Sequence, residues 1–396
     1  MNKNFVKLFG ILLSITCISN NASSQIFNPF YSKDKGCYTG VQGDKCIPNT
    51  IITAVPFLRI GPDARSGGMG DAGIAISPDA NSMHFNPSKL AFAEENIGVS
   101  VNYTPWLSAI VNDVFLAYLS GYKKIDDLQA IGGSLRYFSL GDIPFTTADG
   151  QALGTGSPNE FELAIGYARK LSDKLSVSLA GKYIYSNLAA GQQVGGDDIV
   201  AGHAGAADIG LTYITELSND AELTLATSIT NIGSKISYTK DRVKDFIPTN
   251  LGLGAAYKME IDDYNAITFT MDINKLLVPT PCVDDSCRVN GVYEWRTYGP
   301  IKGIVKSFGD AQSFKEELRE FTFSVGLEYW YAEQFAIRAG YFHEDKYKGN
   351  RKYFTAGLGL KYNIFGLNFS YLVPTGNTIN PLKNTLRFSF LLDFAE

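Results

Sequence analysis

The chain has 396 residues, of which 45% are hydrophobic, 13% aromatic and 19% charged, and its formal net charge is -5. It is too apolar for a disordered protein, and its mean hydropathy of -0.04 is too even for a bundle of membrane helices. The acidic balance offers no basic surface, so no nucleic-acid partner is expected. With 25 Phe, 22 Tyr and 39 Gly, the composition favours a β-rich fold.

The first 25 residues have the pattern of a secretory signal. Lys3 and Lys7 precede an apolar run from Leu8 to Ile18, and small polar residues follow up to Gln25. The run is shorter than the about 20 apolar residues of a spanning helix, so it predicts a cleaved signal peptide over 1–25. The mature chain is therefore expected to be exported.

Four cysteines remain after the signal, and they are Cys37, Cys46, Cys282 and Cys287. An even number of cysteines in an exported chain indicates disulfides, and four cysteines can pair in three ways. Local spacing favours the pairs Cys37–Cys46 and Cys282–Cys287. A metal site is the alternative, but no histidine lies near either pair in the sequence.

From residue 97 onward, the sequence breaks into short runs in which apolar and polar residues alternate. One face of the clearest run carries Leu386, Phe388, Phe390, Leu392 and Phe394. The opposite face carries Thr385, Arg387, Ser389 and Asp393. A period of two separates the faces of a β-strand, whereas a helix would mix them.

Fourteen such runs are predicted strands: 97–103, 112–122, 129–140, 159–171, 175–189, 206–216, 221–232, 249–260, 265–275, 320–331, 335–343, 353–362, 365–372 and 385–394. Short polar turns follow the even strands, and longer connections follow the odd ones. This asymmetry is typical of outer-membrane barrels, whose strands need about 9 to 11 residues to cross the bilayer. We therefore predict an all-β protein, a transmembrane antiparallel β-barrel of about 14 strands over 97–396.

A soluble β-sandwich or propeller is the alternative, because its strands also alternate, but its outer face should be polar. Here the apolar face is continuous and has aromatic residues near the strand ends, where an interface girdle belongs. These residues are Tyr103, Tyr122, Tyr167, Tyr183, Tyr185, Tyr329, Trp330, Tyr331 and Tyr362. The girdle favours the membrane barrel.

Two regions lie outside the strand pattern. Residues 26–96, here called the hatch, contain the first cysteine pair and several prolines, and too few alternating residues to predict strands. We expect the hatch to begin in the periplasm and to fold back into the lumen as a plug. The second region, 276–319, is the longest connection and is predicted to be an extracellular loop, and loops of this length are usually functional.

The sequence predicts no enzyme, no metal and no cofactor. It has no nucleophile elbow of the G-x-S-x-G kind. The histidines stand far apart, without Cys or carboxylate at ligand spacing, and they are His84, His203 and His343. Pairs of aspartates fall in predicted turns, where solvation is the simplest explanation and adventitious calcium binding is the alternative.

Gly68, Gly70 and Gly73 match the pattern G-x-G-x-x-G. A dinucleotide site would also need a preceding parallel strand and a following helix, and Pro62 and Pro78 flank the motif instead. The favoured interpretation is structural: the glycines allow the backbone of the hatch to pack closely against the barrel wall.

The segment from Ala64 to Leu90 resembles the hatch signature of the long-chain fatty-acid transporter superfamily of outer-membrane barrels. Within it, the chain resembles the PorV family of the type IX secretion system. Three stretches carry this match, and they are 55–65 (VPFLRIGPDAR), 86–90 (NPSKL) and 103–107 (YTPWL). The similarity extends through the mature chain, and the family's fourteen strands agree with the count above.

The resemblance implies a location in the cell outer membrane and a role in protein transport. Such proteins receive secreted cargo from the translocon, recognise its C-terminal signal domain and deliver it to the attachment machinery, which cleaves the signal. The implied partners are the type IX translocon barrel, a PorU-type sortase with other attachment-complex subunits, the signal domains of cargo proteins and outer-membrane lipid. The protease activity is expected in the sortase and not in this chain.

Aromatic residues of the long loop are the candidate cargo contacts: Tyr293, Trp295 and Tyr298. Aromatic anchors and strand-edge pairing give affinity without chemistry. The alternative for these residues is packing of the loop against its disulfide. The alternative function is a passive channel for long-chain fatty acids or other hydrophobic compounds. Such a channel needs an apolar pocket that leads through a kinked hatch or a lateral opening in the wall.

Overall fold

The structure is a computed structural model. It describes residues 30–32, 35, 37–39, 46–106, 113–146, 149–194, 197–217, 220–239, 244–282, 287–289, 292–375 and 385–395. The predicted signal peptide over 1–25 lies outside these residues. No helix within the described ranges is long and apolar enough to span a membrane.

Fourteen antiparallel strands form a closed barrel, in which each strand pairs with its neighbours in sequence. The strands are β1 Ile97–Pro105, β2 Val114–Asp126, β3 Gln129–Leu140, β4 Asn159–Ser172, β5 Leu175–Asn187, β6 Gly202–Leu217, β7 Ala221–Gly233, β8 Asn250–Asp262, β9 Asn265–Leu276, β10 Phe321–Tyr331, β11 Phe335–His343, β12 Lys352–Tyr362, β13 Phe365–Pro374 and β14 Leu386–Phe394. Strand β14 pairs with β1 and closes the sheet. Closure gives every strand two partners, as a lipid environment requires. The predicted strand order and number are confirmed.

The two faces of the barrel wall have opposite polarity. Ile165 and Leu179 point outward and are 70% and 60% exposed. Ser176, Thr270 and Asp272 point into the lumen and are buried. This pattern, apolar outside and polar inside, is that of a transmembrane barrel, and the β-sandwich alternative is wrong. The girdle assignment of Tyr122 is also wrong, because its side chain lies in the lumen, where it is buried against the hatch.

The two ends of the barrel differ. Turns of two or three residues follow each even-numbered strand from β2 to β12. Longer loops follow the odd-numbered strands. Two of these loops contain small hairpins, formed by Ile143–Thr146 with Ala152–Gly156 and by Gln193–Val194 with Asp197–Asp198. The start of β1 and the end of β14 lie at the short-turn end.

The hatch crosses the lumen from the long-loop end to the short-turn end. The Ala54 N–H donates to the Phe246 carbonyl at 2.9 Å, in the loop after β7, and the Asn96 N–H donates to the Phe394 carbonyl at 3.1 Å. Between them lie short 3-10 and α-helices, and these are Pro56–Arg59, Ala64–Gly67, Ser82–Phe85 and Pro87–Phe92. The hatch therefore fills the lumen along its length.

The hatch begins with a small sheet that the sequence did not predict. Strands Phe30–Ser32, Cys37–Thr39 and Cys46–Ile47 pair antiparallel. Strands of two or three residues are too short to show a period of two, so alternation could not reveal them. The disulfide Cys37–Cys46 spans this sheet with a Cα–Cα distance of 5.6 Å. The second disulfide joins Cys282 to Cys287. Both are the local pairs that the spacing favours.

The glycine motif of the hatch packs directly on the wall. A Cβ at Gly68 would lie 3.1 Å from the Gly357 Cα, and a Cβ at Gly70 would lie 2.7 Å from the Tyr341 carbonyl oxygen. Gly70 also has a φ of +69°, which favours glycine. The barrel strands around it pair antiparallel, so no βαβ unit surrounds the motif. The structural interpretation of the glycines accounts for these contacts.

Candidate functional site at the long-loop end

The loop between β9 and β10 folds into a compact unit, and its described residues within 277–320 are here called the cap. The cap starts with the disulfide Cys282–Cys287 and a hairpin of Arg288–Val289 with Val292–Tyr293. Three short helices follow, and they are Glu294–Thr297, α1 Pro300–Lys306 and α2 Phe314–Leu318. The described residues of the predicted long loop thus form a platform at the long-loop end of the barrel.

The candidate cargo contacts surround the apolar centre of the cap. Trp295 packs with Val278 and with Phe246 of the loop after β7. It is 8% exposed, so its indole stabilises the cap from within. Tyr293 and Tyr298 pack beside this cluster and remain partly exposed. The structure brings the three aromatic residues together, and burial restricts direct contact with a partner to the two tyrosines.

Both tyrosines already have charged neighbours. The guanidinium of Arg288 lies 4.6 Å from the ring centre of Tyr293 and donates to its hydroxyl at 3.1 Å. The Tyr298 hydroxyl donates to Glu294 at 2.9 Å, and the Lys302 ammonium lies 4.1 Å from its ring centre. These cation–π contacts and hydrogen bonds fix the orientation of both rings.

Buried ion pairs attach the cap to the barrel rim. The Lys275 ammonium, at the end of β9, lies 2.6 Å from Glu320. The Lys348 ammonium, in the loop after β11, lies 3.0 Å from both Glu316 and Glu320. The Asn49 side-chain amide donates to Glu316 at 3.1 Å, which links the cap to the hatch. One partner of each pair lies on α2 or directly after it, so this helix is held in place.

Carboxylate oxygens of Asp310, Glu317 and Glu320 lie within 4.8 Å of one another. The Lys275 ammonium lies 2.8 Å from Glu317 and compensates part of this charge. Asp310 accepts a hydrogen bond from the Thr280 N–H at 3.0 Å. Burial is the main cause that raises the pKa of Asp310 to about 6. The three carboxylates therefore belong to the ion pairs and hydrogen bonds inside the cap.

The outer side of the cap carries large apolar side chains. Phe314 is 78% exposed and Val305 is 67% exposed. The full set, here called the apolar face, is Ile301, Val305, Phe308, Phe314 and Leu318. Several large apolar side chains exposed on two neighbouring short helices make this part of the cap a candidate interaction surface. Sequence reasoning missed them, although the spacing of 301, 305 and 308 is that of one helix side.

The lumen contains cavities of mixed polar and apolar lining beside the hatch. An upper cavity of about 130 Å³ is lined by charged and amide groups that include Arg59, Asp272 and Asn274. A larger cavity of about 290 Å³ opens near the short-turn end, and Glu94 and Asp393 are among its lining residues. Neither cavity is an apolar conduit of the kind that a channel for hydrophobic compounds needs.

The wall beside the hatch is continuous at β3. Strand β3 pairs with β4 from Gln129 opposite Arg169 to Ser139 opposite Asn159, and the register does not shift. Its pairing with β2 is also regular from Val114 to Lys124 and shifts only beside the turn. This part of the wall therefore has no lateral opening among the described residues.

Solved structures with a similar fold include toluene transporters and a monoaromatic hydrocarbon channel. The P. putida toluene transporter TodX aligns with a TM-score of 0.50 and 14% identity, covering 85% of this chain and 99% of that chain. A TodX deltaS2S3 mutant monoaromatic hydrocarbon channel aligns with a TM-score of 0.50 and 12% identity, over 84% and 99%. The Ralstonia pickettii toluene transporter TbuX aligns with a TM-score of 0.46 and 13% identity, over 85% and 98%. At these identities the likeness shows the fold alone.

No curated protein sequence matches the chain. A family model, described as type IX secretion system protein PorV, matches residues 43–283, which is more than half of the chain. The chain therefore belongs to the PorV family of the type IX secretion system.

Proposed function

We propose that this barrel is a non-enzymatic cargo carrier. It binds the C-terminal signal domain of a secreted protein at the cap and transfers it from the translocon to the attachment complex. The observation that carries the proposal is the contrast between a filled lumen and an ordered cap with an apolar face. A protein domain cannot pass a lumen that the hatch occupies from end to end, so the site of binding is the outer surface of the long-loop end.

The hatch contacts support this role for the lumen. Asp272 of β9 accepts hydrogen bonds from the N–H groups of Gly73 and Ile74 at 2.7 and 2.9 Å. The Asn86 side-chain amide donates to Thr212 of β6 at 3.0 Å. On β14, across the barrel from β6, Arg387 forms an ion pair with Asp71 of the hatch. Buried, hydrogen-bonded contacts to opposite sides of the wall hold a plug firmly.

The barrel fold and the family point to the outer membrane, and we propose that the long loops face the cell exterior, as in other barrels of this kind. Residues 46–55 then lie at the outer end, since Ala54 pairs with Phe246 and Asn49 with Glu316. The hatch in this orientation enters the lumen from outside. This differs from the expectation that the hatch begins in the periplasm.

The aromatic candidates take different roles in this proposal. Tyr293 and Tyr298 contact the signal domain, because part of each ring is exposed. Trp295 is a positioning residue, because its contacts with Val278 and Phe246 hold the segment that carries both tyrosines. Family membership supports partners in the type IX system in general. We propose the translocon barrel, a PorU-type sortase and other attachment-complex subunits as the partners that give and receive the cargo.

The experiment is recovery of a cargo signal domain on the purified barrel. Replacing Tyr293 and Tyr298 together by Ala should lower the recovery several-fold, because exposed aromatic anchors carry much of an interface's binding energy. Tyr264→Ala is the matched control, since Tyr264 is also exposed but lies in a turn at the opposite end. Equal recovery on the double variant and on wild type would remove the tyrosines from the site.

The second candidate function is a passive channel for hydrophobic compounds. Only the fold of this chain is consistent with it. The charged groups that line both cavities and the regular pairing of β3 argue against it. Growth on a long-chain fatty acid after deletion of the gene separates the two functions. Unimpaired growth with loss of surface-anchored cargo supports secretion, and impaired growth with normal surface cargo supports uptake.

A further inference from the structure

The helices that carry the apolar face of the cap also carry exposed positive charges. Lys302, Lys306 and Lys315 are exposed on the same two helices, beside Ile301, Val305 and Phe314. Lys306 and Lys315 have no ion-pair partner within the described ranges. The outer side of the cap is therefore both apolar and cationic.

The carboxylates on α2 and on either side of it are turned toward the inside of the cap. Glu316 and Glu320 are buried against Lys348 and Lys275, and Asp310 accepts the Thr280 N–H. The buried ion pairs thus leave three exposed lysines on α1 and α2, and the exposed Glu294 beside Tyr298 offsets only one of these charges. A surface with apolar anchors and an excess of positive charge is complementary to a partner of opposite charge.

The face is mounted on a rigid base. A Cβ at Gly303 would lie 2.6 Å from the Phe246 ring, so α1 packs directly on the apolar centre of the cap. The Ser313 hydroxyl accepts a hydrogen bond from the Glu316 N–H at 3.2 Å and caps α2. A preorganised surface loses little conformational entropy on binding.

The face is continuous with the aromatic cluster proposed above. Lys302 belongs to α1 and lies over the Tyr298 ring, so the apolar face and the tyrosines border one another on the cap. We infer that the apolar face binds an acidic, apolar surface patch of the cargo signal domain, with the lysines pairing with its carboxylates. This inference rests on the proposed function, because it names the chemistry that the cap recognises in the cargo.

The test uses the full-length barrel in nanodiscs of neutral lipid and a purified cargo signal domain. One variant combines Val305→Ser with Phe314→Ser, and a second combines Lys306→Glu with Lys315→Glu. Both should bind at least about tenfold more weakly than wild type, because the first removes apolar anchors and the second repels an acidic partner. Added salt should weaken binding to wild type, where it screens an attraction, but should not weaken binding to the charge variant, where it screens a repulsion.

Two matched controls should bind as wild type does. Leu128→Ser removes an exposed apolar side chain from a turn at the opposite end, and Lys346→Glu reverses an exposed charge at the same end but outside the face. Heat-modifiable migration on gels verifies that each variant retains the folded barrel.

The outcomes separate the inference from the proposed function. If wild type binds the signal domain and both face variants bind equally well, the inference is overturned and the proposed function stands. If wild type binds no signal domain, both are overturned. If wild type binds phosphatidylglycerol vesicles through the lysines while the variants keep full cargo affinity, the face recognises a lipid surface, and the inference is again overturned.

Discussion

The hatch and the cap are both non-strand segments attached to the same barrel, yet their surroundings differ. The hatch is enclosed by the wall, and its charged groups pair with residues of two separate wall strands, β10 and β14. The cap is anchored only from below, and its outer side exposes Phe314 and Val305. A segment enclosed on every side can only support the fold, whereas a segment bound on one side has a surface left for a partner. The following changes break or sharpen this contrast.

The largest effect is expected at the buried ion pairs of the hatch. Glu328 of β10 lies 2.8 Å from Arg65 of the hatch and 2.7 Å from Arg338 of β11. Glu328→Gln leaves the buried guanidinium of Arg338 without a counter-charge and leaves Arg65 only Asp79, at 3.4 Å, so we expect a loss of about 3 to 5 kcal/mol in barrel stability. The temperature at which the heat-modifiable gel band shifts measures it. Arg65→Gln keeps the Glu328–Arg338 pair and should lose clearly less, and equal losses would contradict this assignment.

A change in the centre of the cap should have a large local effect and leave the barrel intact. Trp295→Ala removes the main side chain of the cluster with Val278 and Phe246, and such a truncation costs about 3 kcal/mol or more. Hydrogen exchange should then accelerate in α1 and α2 while the strands remain protected. Trp295→Phe, which keeps most of the apolar volume, should change exchange much less. Faster exchange in the strands would mean that the cap and the barrel unfold as one unit.

A smaller effect is expected where the hatch backbone touches the wall. Gly70→Ala adds a Cβ 2.7 Å from the Tyr341 carbonyl oxygen at a φ of +69°, and we expect a cost of about 1 to 3 kcal/mol. Ion conductance through the barrel in a planar bilayer should rise, because the hatch is displaced from its seat. Gly181→Ala is the control, since a Cβ at Gly181 meets no atom within 4 Å. An unchanged conductance for Gly70→Ala would show that the wall yields instead.

Sequence reasoning predicted the barrel well because one physical constraint acts on every strand. Each strand has lipid on one side and the lumen on the other, so the period of two in runs such as Phe388 to Phe394 directly reports the fold. The misassigned Tyr122 marks the limit of this approach. Its place near a strand end suggested the girdle, but its position in the alternation directs it into the lumen.

The cap was less predictable because its packing depends on residues that are distant in sequence. Trp295 has the same local sequence pattern whether it contacts a partner or the cap interior, and only the approach of Phe246 and Ile51 decides between them. The apolar face left a readable signal, the helical spacing of Ile301, Val305 and Phe308. That signal lies inside a segment classified as a loop, where a helical period is not expected.

The smallest effect concerns the pH dependence of the cap. The pKa of Asp310 is raised from 3.8 to about 6 in the folded cap, so the protonated carboxyl favours the folded cap. This contribution to the stability of the cap is fully present below pH 3.8 and is lost as the pH rises through about 6. Asp310→Asn stays neutral and keeps an acceptor for the Thr280 N–H, so at pH 7.5 it should stabilise the cap relative to wild type. Partial exposure of Asp310 limits the gain to about 1 kcal/mol.

Acrylamide quenching of Trp295 fluorescence, with Trp106 and Trp330 replaced by Phe, should increase between pH 4 and 7 when Asp310 is present. The same rise in Asp310→Asn would show that Asp310 is not the cause of the pH dependence.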